Sequence, residues 1–250
     1  ACESRTAWLS QGRDIIWRQG GKDSHWGADN GLKALLRLAM NLSLLGYDLL
    51  MPDMVPGRVQ TLRSDAPLPS DELMVRWTEV SAFMPFLQFS YFPWNYAEGT
   101  DKVVRRFARL HKQLEDYLAQ ESKDRVAPLI RPVWYDDPES VDAYSIDDEF
   151  QLGGDILLAP VLDRACTVRD VYLPQGEWVD AWTGTVVTSG WLRDCPAPCP
   201  GMPIFVRRDR QDLLAIIQAE LAELARGCID PAQCTASYMA GLDRDLSVTG

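Results

Sequence analysis

Two carboxylates lie where this chain could do chemistry. Asp29 follows the segment His25-Trp26-Gly27-Ala28, and Asp53 follows the apolar run Tyr47–Met51 and one proline. Carboxyl side chains held in loops can transfer protons or accept hydrogen bonds from hydroxyl groups. The alternative is that both are ordinary loop aspartates and that one of them caps the helix that begins near Asn30.

The elements that must position these acids have the pattern of a β/α unit. From Leu32 to Ser43 apolar residues recur with the period of a helix, and Tyr47–Met51 is typical of a buried parallel strand. Pro52 cannot extend a β-ladder, so Asp53 is expected to leave the strand at its carboxyl end. In a β/α barrel, the loops at the carboxyl ends of the strands hold the active site. Both acids are therefore predicted to lie at that edge.

The rest of the chain changes character near Leu152. Before it the alternation continues, with a helix at Asp71–Ala82 capped by Ser70, a strand and loop at Phe83–Trp94, a helix at Asp101–Ser122 and a last barrel strand at Val126–Trp134. After it, short apolar runs alternate with Gly and Pro, which predicts a β-sandwich. An amphipathic helix at Gln211–Arg226 precedes the C-terminal residues.

Five segments resemble, in the same order, parts of glycoside hydrolase family 31. They are His25–Asn30, Gly46–Asp53, Asp148–Leu162, Tyr172–Gly184 and Met202–Arg207. The first is similar to the family's His-Trp-x-Gly-Asp-Asn segment, and the second to the strand and turn that place a substrate-binding Asp. The third is similar to the segment after the last barrel strand, and the last two to the family's C-terminal β-sandwich.

The resemblance implies an α/β fold that consists of the second half of a (β/α)8 TIM barrel followed by an all-β sandwich. Residues 1–151 are expected to form the barrel half, residues 152–210 the sandwich and residues 211–250 a helical or disordered C-terminal extension. The first half of the barrel is expected upstream of Ala1. It would carry the nucleophilic Asp, which lies on the family's fourth barrel strand and has no counterpart here.

The resemblance also implies roles for single residues. Asp29 matches the general acid/base of the family, and burial against Trp26 and Leu32 is expected to raise its pKa. The candidate substrate-binding residues are Arg13, Trp26, Asp53, Ser90 and Trp94. Ser90 stands where most of the family has a His that contacts the sugar. Its presence removes a hydrogen-bond donor and is expected to change which sugar is held.

Three positions have alternatives that the sequence leaves open. Arg13 can clamp sugar hydroxyls with its planar guanidinium, or it can form a salt bridge with Asp14 or Asp23. Trp94 can stack on a sugar, or it can lie in the core or in a subunit contact. Asp136 follows the predicted last barrel strand and is the alternative nucleophile if the chain is active without further residues.

The expected function is that of a fragment of a retaining α-glycosidase that hydrolyses an α-galactoside or an α-glucoside. Retaining hydrolysis uses two carboxyl groups about 5 Å apart, one as nucleophile and one as proton donor. Because the nucleophile is expected upstream, the isolated 250-residue chain is expected to be inactive and to associate through unpaired strand edges. The alternative is a non-catalytic relative that binds a carbohydrate or another ligand.

Composition limits the other classes of function. With 25 Lys and Arg against 36 Asp and Glu, the net charge of -11 argues against nucleic acid as a partner. No apolar run reaches the length of a membrane span. No cofactor is indicated, and a metal site is disfavoured because His25 and His111 are not spaced with the 6 cysteines as in a zinc site. The expected partner is a carbohydrate substrate, and a homo-oligomer is compatible with the sequence.

The cysteines favour the secretory pathway. Cys195 and Cys199 frame Pro196-Ala197-Pro198, and Cys228 and Cys234 frame another short segment that contains a proline. Such loops could close as disulfides in an oxidising lumen. The expected location is therefore the endoplasmic reticulum lumen or the cell exterior, with an upstream membrane anchor as one variant. Free thiols in a cytosolic protein are the alternative.

Overall fold

A computed structural model describes residues 16–58, 68–124 and 127–227. Two parts follow one another along the chain. The first combines helices with a short parallel sheet, and the second is a six-stranded antiparallel sheet followed by one helix. Among the described residues, no helix has both the length and the apolar character needed to cross a membrane.

Parallel pairing organises the first part. β1 (Trp17–Arg18) and β2 (Leu50–Met51) are parallel neighbours, and α1 (Leu32–Leu44) lies between them in the chain. A parallel bridge between Val55 and Phe89 brings a third chain segment beside the one that follows β2. The three loops that leave these segments are 19–31, 52–58 and 90–97. Their order along the chain is that predicted from the β/α pattern.

Four further helices are α2 (Asp71–Ser81), α3 (Glu98–Gln113), α4 (Glu115–Asp124) and α5 (Gln211–Gly227). The predicted start of α2 is confirmed, because the Ser70 side chain accepts a hydrogen bond of 3.3 Å from the Leu73 amide. The single helix predicted over Asp101–Ser122 is wrong. The helical region begins earlier, at Glu98, and Leu114 separates α3 from α4.

The second part is an antiparallel sheet with the strand order β3-β4-β5-β8-β6-β7. Its strands are β3 (Ile130–Arg131), β4 (Phe150–Leu152), β5 (Ile156–Leu158), β6 (Val168–Asp180), β7 (Val186–Pro196) and β8 (Ile204–Arg207). Because β3 pairs antiparallel with β4, the interpretation of Val126–Trp134 as the last barrel strand is wrong. The domain boundary expected after residue 151 falls within β4.

A buried ion pair on α2 connects the two parts through its hydrogen bonds to the second part. Arg76 and Glu79, both on α2 and both buried, approach to 3.0 Å. Arg76 also donates to the carbonyls of Cys166, Ala197 and Gly201, at 3.3, 2.7 and 2.8 Å. Glu79 in turn accepts a hydrogen bond of 2.6 Å from the Gly201 amide. These contacts fix α2 against the chain that connects β7 to β8 and against the segment that precedes β6.

The apolar core also extends through both parts. One cluster of buried side chains includes Leu35 of α1, Phe107 of α3, Ile130 of β3, Val206 of β8 and Leu221 of α5. The polar rim of the contact between α3 and α5 is formed by Arg106, which pairs with two glutamates of α5. The helices and the antiparallel sheet therefore bury their apolar faces against each other.

Within residues 127–227, no disulfide joins Cys195 and Cys199, so the bridge that the sequence allowed between them is absent. Burial raises the pKa of the Cys195 thiol, which disfavours its reactive thiolate form. Cys228 and Cys234 lie outside the described residues.

Candidate active site

Asp53 is a buried carboxylate at the carboxyl end of β2. Its side chain is 0% exposed and is held from two sides. Oδ1 accepts a hydrogen bond of 3.1 Å from Nη2 of Arg18, and Oδ2 accepts one of 2.5 Å from the backbone amide of Lys22. Both donors belong to the chain at and after β1. Asp53 therefore connects the first loop to the second.

Asp23 makes further polar contacts within the first loop and with the second. Nδ2 of Asn30, on the same loop, donates to Asp23 Oδ2 at 3.0 Å, and Nε of Arg58, on the second loop, donates to Asp23 Oδ1 at 2.8 Å. These two donors hold the pKa of Asp23 below its ordinary value, and the Asn30 contact has the larger effect. Burial lowers the pKa of Lys22, while the nearby carboxylates of Asp53 and Asp23 act in the opposite direction. Charged groups of the two loops therefore interact with one another, Asp23 with Arg58 and Lys22 with Asp53.

Asp29 lies on the first loop, and its side chain is 81% exposed. Its Oδ1 is 3.9 Å from Nε2 of His25. Nδ1 of His25 accepts a hydrogen bond of 2.9 Å from the Gly27 amide, so the proton of a neutral His25 is on Nε2, the nitrogen that faces Asp29. Within the described chain, no side chain caps α1, whose N-cap residue is Gly31. The alternative in which Asp29 caps the helix is therefore wrong.

The expected burial of Asp29 is also wrong for the described residues. Leu32 is buried and Trp26 packs against the main core, but neither covers the carboxylate. The tightly packed part of this loop is its backbone at Gly27. A Cβ atom at Gly27 would lie 2.8 Å from ring atoms of His25, and closer still to Oδ1 of Asp29. The absence of a side chain at Gly27 therefore leaves the space that the Asp29 carboxylate occupies.

Ser90 ties the third loop to the second. Its amide donates to the Val55 carbonyl at 2.9 Å, and its hydroxyl contacts the carbonyls of both Val55 and Gly57. A hydroxyl has one proton, so the two carbonyls share it. Oγ of Ser90 could still accept a hydrogen bond from a ligand. The hydroxyl of Ser90 does not offer its proton to a ligand, because the proton is already used by the protein.

Trp94 is an exposed aromatic residue on the third loop. It is 61% exposed and lies in the short 3-10 helix Pro93–Asn95. Its ring stacks on Phe92 with 4.6 Å between ring centres and 8° between planes, and the Arg105 guanidinium is 6.0 Å from its centre. The alternative of a core position is wrong, because a core tryptophan would be covered.

The remaining two candidates do not join this group. Arg13 lies outside the described residues, so its role stays a prediction. Asp136 is bound to the antiparallel sheet, where Oδ2 is 3.2 Å from Nε of Arg131 and accepts a hydrogen bond of 2.7 Å from Gln151. It belongs to the second part of the fold rather than to the three loops.

Sequence reasoning missed Arg18 and Lys22, the two residues that hold Asp53. Arg18 could have been found, because it is the last residue of a strand and therefore lies at the same edge of the sheet as Asp53. Lys22 had none, because its contact to Asp53 is made by the backbone amide and would be available to almost any residue. Its side chain is nevertheless buried, which a Gly-Gly-Lys-Asp-Ser turn does not suggest.

Two domains defined for one family match successive parts of the chain. Residues 3–121 match the "Glycosyl hydrolases family 31 TIM-barrel domain", and residues 126–210 match the "Glycosyl hydrolase family 31 C-terminal domain". The chain belongs to glycoside hydrolase family 31, and the predicted fold class, part of a TIM barrel followed by a β-sandwich domain, is confirmed. The second match begins at residue 126, in agreement with the placement of β3 in the antiparallel sheet.

Among curated relatives, myogenesis-regulating glycosidase of Mus musculus is 40% identical over 184 residues, which cover 70% of this chain and 26% of that protein. SITS-binding protein of Tetronarce californica is 31% identical over 227 residues, which cover 88% of this chain and 31% of that protein. Three segments indicate the branch of the first relative: Trp26-Gly27-Ala28-Asp29, Pro52-Asp53-Met54-Val55 and Gln88-Phe89-Ser90. The chain spans about a third or less of the length of these relatives.

A solved structure confirms the arrangement of the two parts. A family 31 sulfoquinovosidase from E. rectale, in complex with an aza-sugar inhibitor, is similar with a TM-score of 0.71 over 82% of this chain and 32% of that chain. The two sequences are 23% identical, so this likeness establishes the fold alone.

Proposed function

We propose that this chain is part of a retaining α-glycosidase that hydrolyses an α-glucoside or an α-galactoside. The observation that carries the proposal is the placement of an exposed Asp29 and a buried Asp53 on adjoining loops of a family 31 chain. An exposed acid can exchange protons with a substrate and with water. A buried acid with both oxygens hydrogen-bonded holds a fixed geometry around which a sugar site can be built.

In the proposed reaction, Asp29 protonates the leaving glycosidic oxygen while a second carboxylate attacks the anomeric carbon. That nucleophile comes from a part of the protein outside the described residues. Asp29, now deprotonated, removes a proton from water, whose oxygen displaces the carboxylate and releases the sugar with its original configuration. Nε2 of His25 faces Oδ1 of Asp29 at 3.9 Å. The sugar-binding residues of this proposal are Arg13, Trp26, Asp53, Ser90 and Trp94.

The test is an Asp29→Asn variant of the full-length protein, assayed with aryl α-glucosides and α-galactosides whose leaving groups differ in acidity. Loss of a general acid should lower the rate by about 10²- to 10⁴-fold for poor leaving groups. Leaving groups that depart without a proton should be affected much less in the first step. Azide needs no general base, so it should restore turnover and yield the glycosyl azide with retained configuration.

Asp163→Asn is the matched control, because Asp163 is also an exposed aspartate beside a basic group, Lys33, but lies after β5. Its rates should equal those of the wild type. Equal rates for Asp29→Asn with every leaving group would reject Asp29 as the acid.

The second candidate function is that of a non-catalytic protein that binds a carbohydrate or another ligand. It is favoured by Ser90, whose proton is already shared by two carbonyls, and by the 31% identity to a relative named for binding SITS. Titration calorimetry of the full-length protein with glucose, galactose and SITS discriminates the two. Saturable binding without hydrolysis of any aryl glycoside would favour the binding protein.

A further inference from the structure

The segment Asn41-Leu42-Ser43 of α1 takes no part in the candidate active site. It has the Asn-x-Ser/Thr pattern of an N-glycosylation acceptor, in which x is any residue except proline. The chain has three asparagines, Asn30, Asn41 and Asn95, and only Asn41 is followed two residues later by a hydroxyl residue. Because so short a pattern also occurs by coincidence, the surroundings of Asn41 and Ser43 decide whether it is used.

Asn41 lies on the outward face of α1. Arg37, Asn41 and Leu45 follow one another at intervals of four residues and are all exposed, whereas the opposite face of the helix is buried. Nδ2 of Asn41 donates to the Arg37 carbonyl at 2.8 Å, which is the one hydrogen bond of this side chain in the described structure. A glycan on Nδ2 replaces one of its two hydrogens and leaves the other for that carbonyl. The folded helix therefore accepts a glycan at this position.

Ser43, two residues further on, lies on the buried face. Its hydroxyl donates to Oδ1 of Asp48 at 2.6 Å and accepts a hydrogen bond of 2.9 Å from the Ile130 amide. These contacts join α1 to β3 and cover the hydroxyl. A transferase that must recognise both Asn41 and Ser43 can therefore reach them together only before α1 packs against β3.

We propose that Asn41 carries an N-linked glycan, attached as the chain enters the endoplasmic reticulum lumen and before Ser43 becomes buried. The co-reactant is an oligosaccharide linked to a lipid through pyrophosphate. The Asn41 amide nitrogen forms a bond to the anomeric carbon of the first sugar, and the bond from that carbon to the pyrophosphate oxygen breaks and leaves with its electron pair. One amide proton passes to a basic group of the transferase. The proposal requires a secretory location and is independent of glycosidase activity.

The position of Asn41 keeps such a glycan away from the candidate active site. Asn41 lies nine residues after Leu32, the first residue of α1, so about 14 Å of helix separate it from the first loop. The glycan would instead stand over the exposed face of the helix near Leu45, an apolar side chain that is 57% exposed. A bulky, polar modification there increases solubility without closing the three loops.

The test uses the full-length protein, expressed in cultured animal cells and treated with peptide-N-glycosidase F in water labelled with heavy oxygen. This enzyme releases N-linked glycans and converts the asparagine to a labelled aspartate, which mass spectrometry of the peptide locates. We expect the label at position 41 in the wild type and a lower apparent mass after treatment. Asn41→Gln should lack the label and fold normally, since Asn41 is exposed. Asn95→Gln is the matched control, because Asn95 is also exposed but Ala97 stands in place of the hydroxyl residue.

Two variants of Ser43 separate recognition from folding. Ser43→Thr keeps the acceptor pattern and should retain the label, whereas Ser43→Ala should lose it although Asn41 is unchanged. Occupancy is measured on total cellular protein, so that variants that misfold are counted too. Absence of the label from wild-type Asn41 would overturn the proposal, and so would a label that persists in Ser43→Ala. Attachment of a glycan by microsomes to folded, unglycosylated protein would overturn the stated order of attachment and burial.

Discussion

Gly27 and Asp29 are in van der Waals contact to the point that position 27 has no room for a side chain. A Cβ there would collide with Oδ1 of Asp29 and lie 2.8 Å from the His25 ring. Gly27→Ala should therefore displace the carboxylate. Misplacement of a reacting group by about 1 Å can cost about 10²-fold in rate. We expect kcat of the full-length protein to fall by one to two orders of magnitude in steady-state assays, with little change in thermal stability.

Gly21→Ala is the control for this prediction. It lies on the same loop, but a Cβ there would meet only the flexible side chain of Arg58, at 3.2 Å. Its kcat should stay within about twofold of the wild type, since surface changes of this kind have small effects. Equal losses in both variants would mean that the loop tolerates no change, and the argument for Gly27 would fail.

Removal of the buried Arg76 side chain should strongly lower the free energy of unfolding. Arg76→Met leaves Glu79 buried without its counter-ion and leaves three carbonyls without their donor. Removal of one partner of a buried ion pair costs about 3–5 kcal/mol, whereas replacement of both by apolar residues can be nearly neutral. Urea unfolding of the full-length protein should show the large loss for Arg76→Met and a partial recovery when Glu79→Met is added.

An exposed pair provides the comparison. Arg226 and Glu223 form an ion pair on the surface of α5, and such pairs contribute about 0–1 kcal/mol. Arg226→Met should therefore leave the midpoint of urea unfolding almost unchanged. A double variant of Arg76 and Glu79 that is less stable than Arg76→Met alone would contradict the role of the unpaired charge.

Glu149 should make the protein less stable as the pH rises. Burial raises its pKa to about 8, although Arg169 and the Tyr172 amide act in the opposite direction. Between its ordinary value of 4.5 and about 8, the folded protein holds a proton that the unfolded chain has lost. The folded state then binds more protons, so the free energy of unfolding falls with pH by up to about 1.4 kcal/mol per unit.

Thermal unfolding of the wild type and of Glu149→Gln from pH 5 to pH 9 measures this effect. The difference in Tm, wild type minus variant, should decrease as the pH rises through the window and level off above it. Glu177→Gln, which removes an exposed carboxylate from β6, should show a constant difference. A difference that grows with pH would mean that the ion pair with Arg169 outweighs burial.

The 250-residue chain, expressed by itself, should associate and should not hydrolyse aryl α-glycosides. Within residues 16–58 and 68–124 the parallel part of the sheet has two strands and one bridge, whereas a closed barrel has eight strands. Open strand edges pair with other copies. Light scattering should report species larger than a monomer. A monomer that turns over substrate would show that a carboxylate within this chain is the nucleophile.

The order of the elements at the site could be predicted because its signals are local. The helical period after Leu32, the apolar run before Pro52 and the flanking Gly and Trp residues placed Asp29 and Asp53 on successive loops. Their different exposure could not be predicted in the same way. It depends on donors that are 35 and 31 residues away from Asp53 in the chain, at Arg18 and Lys22.

The wrong assignment of Val126–Trp134 has a similar physical reason. A short apolar segment after a helix has the same composition whether its strand pairs parallel or antiparallel. The direction is fixed by the partner, and β4 comes 19 residues or more after β3 in the chain. Ser90 could be singled out from the sequence, but its hydroxyl contacts with the Val55 and Gly57 carbonyls of the second loop could not.

The contacts of Arg76 limit how freely the two matched domains can be recombined. Its side chain starts on α2, within residues 3–121, and ends on carbonyls of Cys166, Ala197 and Gly201, within residues 126–210. A chimera that combined this barrel segment with the C-terminal domain of another family member would need a backbone that brings three carbonyls to the same point. Otherwise it would inherit a buried cation that keeps Glu79 but lacks its three carbonyl acceptors. The two domains are therefore not independent at this boundary, and α2 must be exchanged together with the β7–β8 connection and the segment that precedes β6.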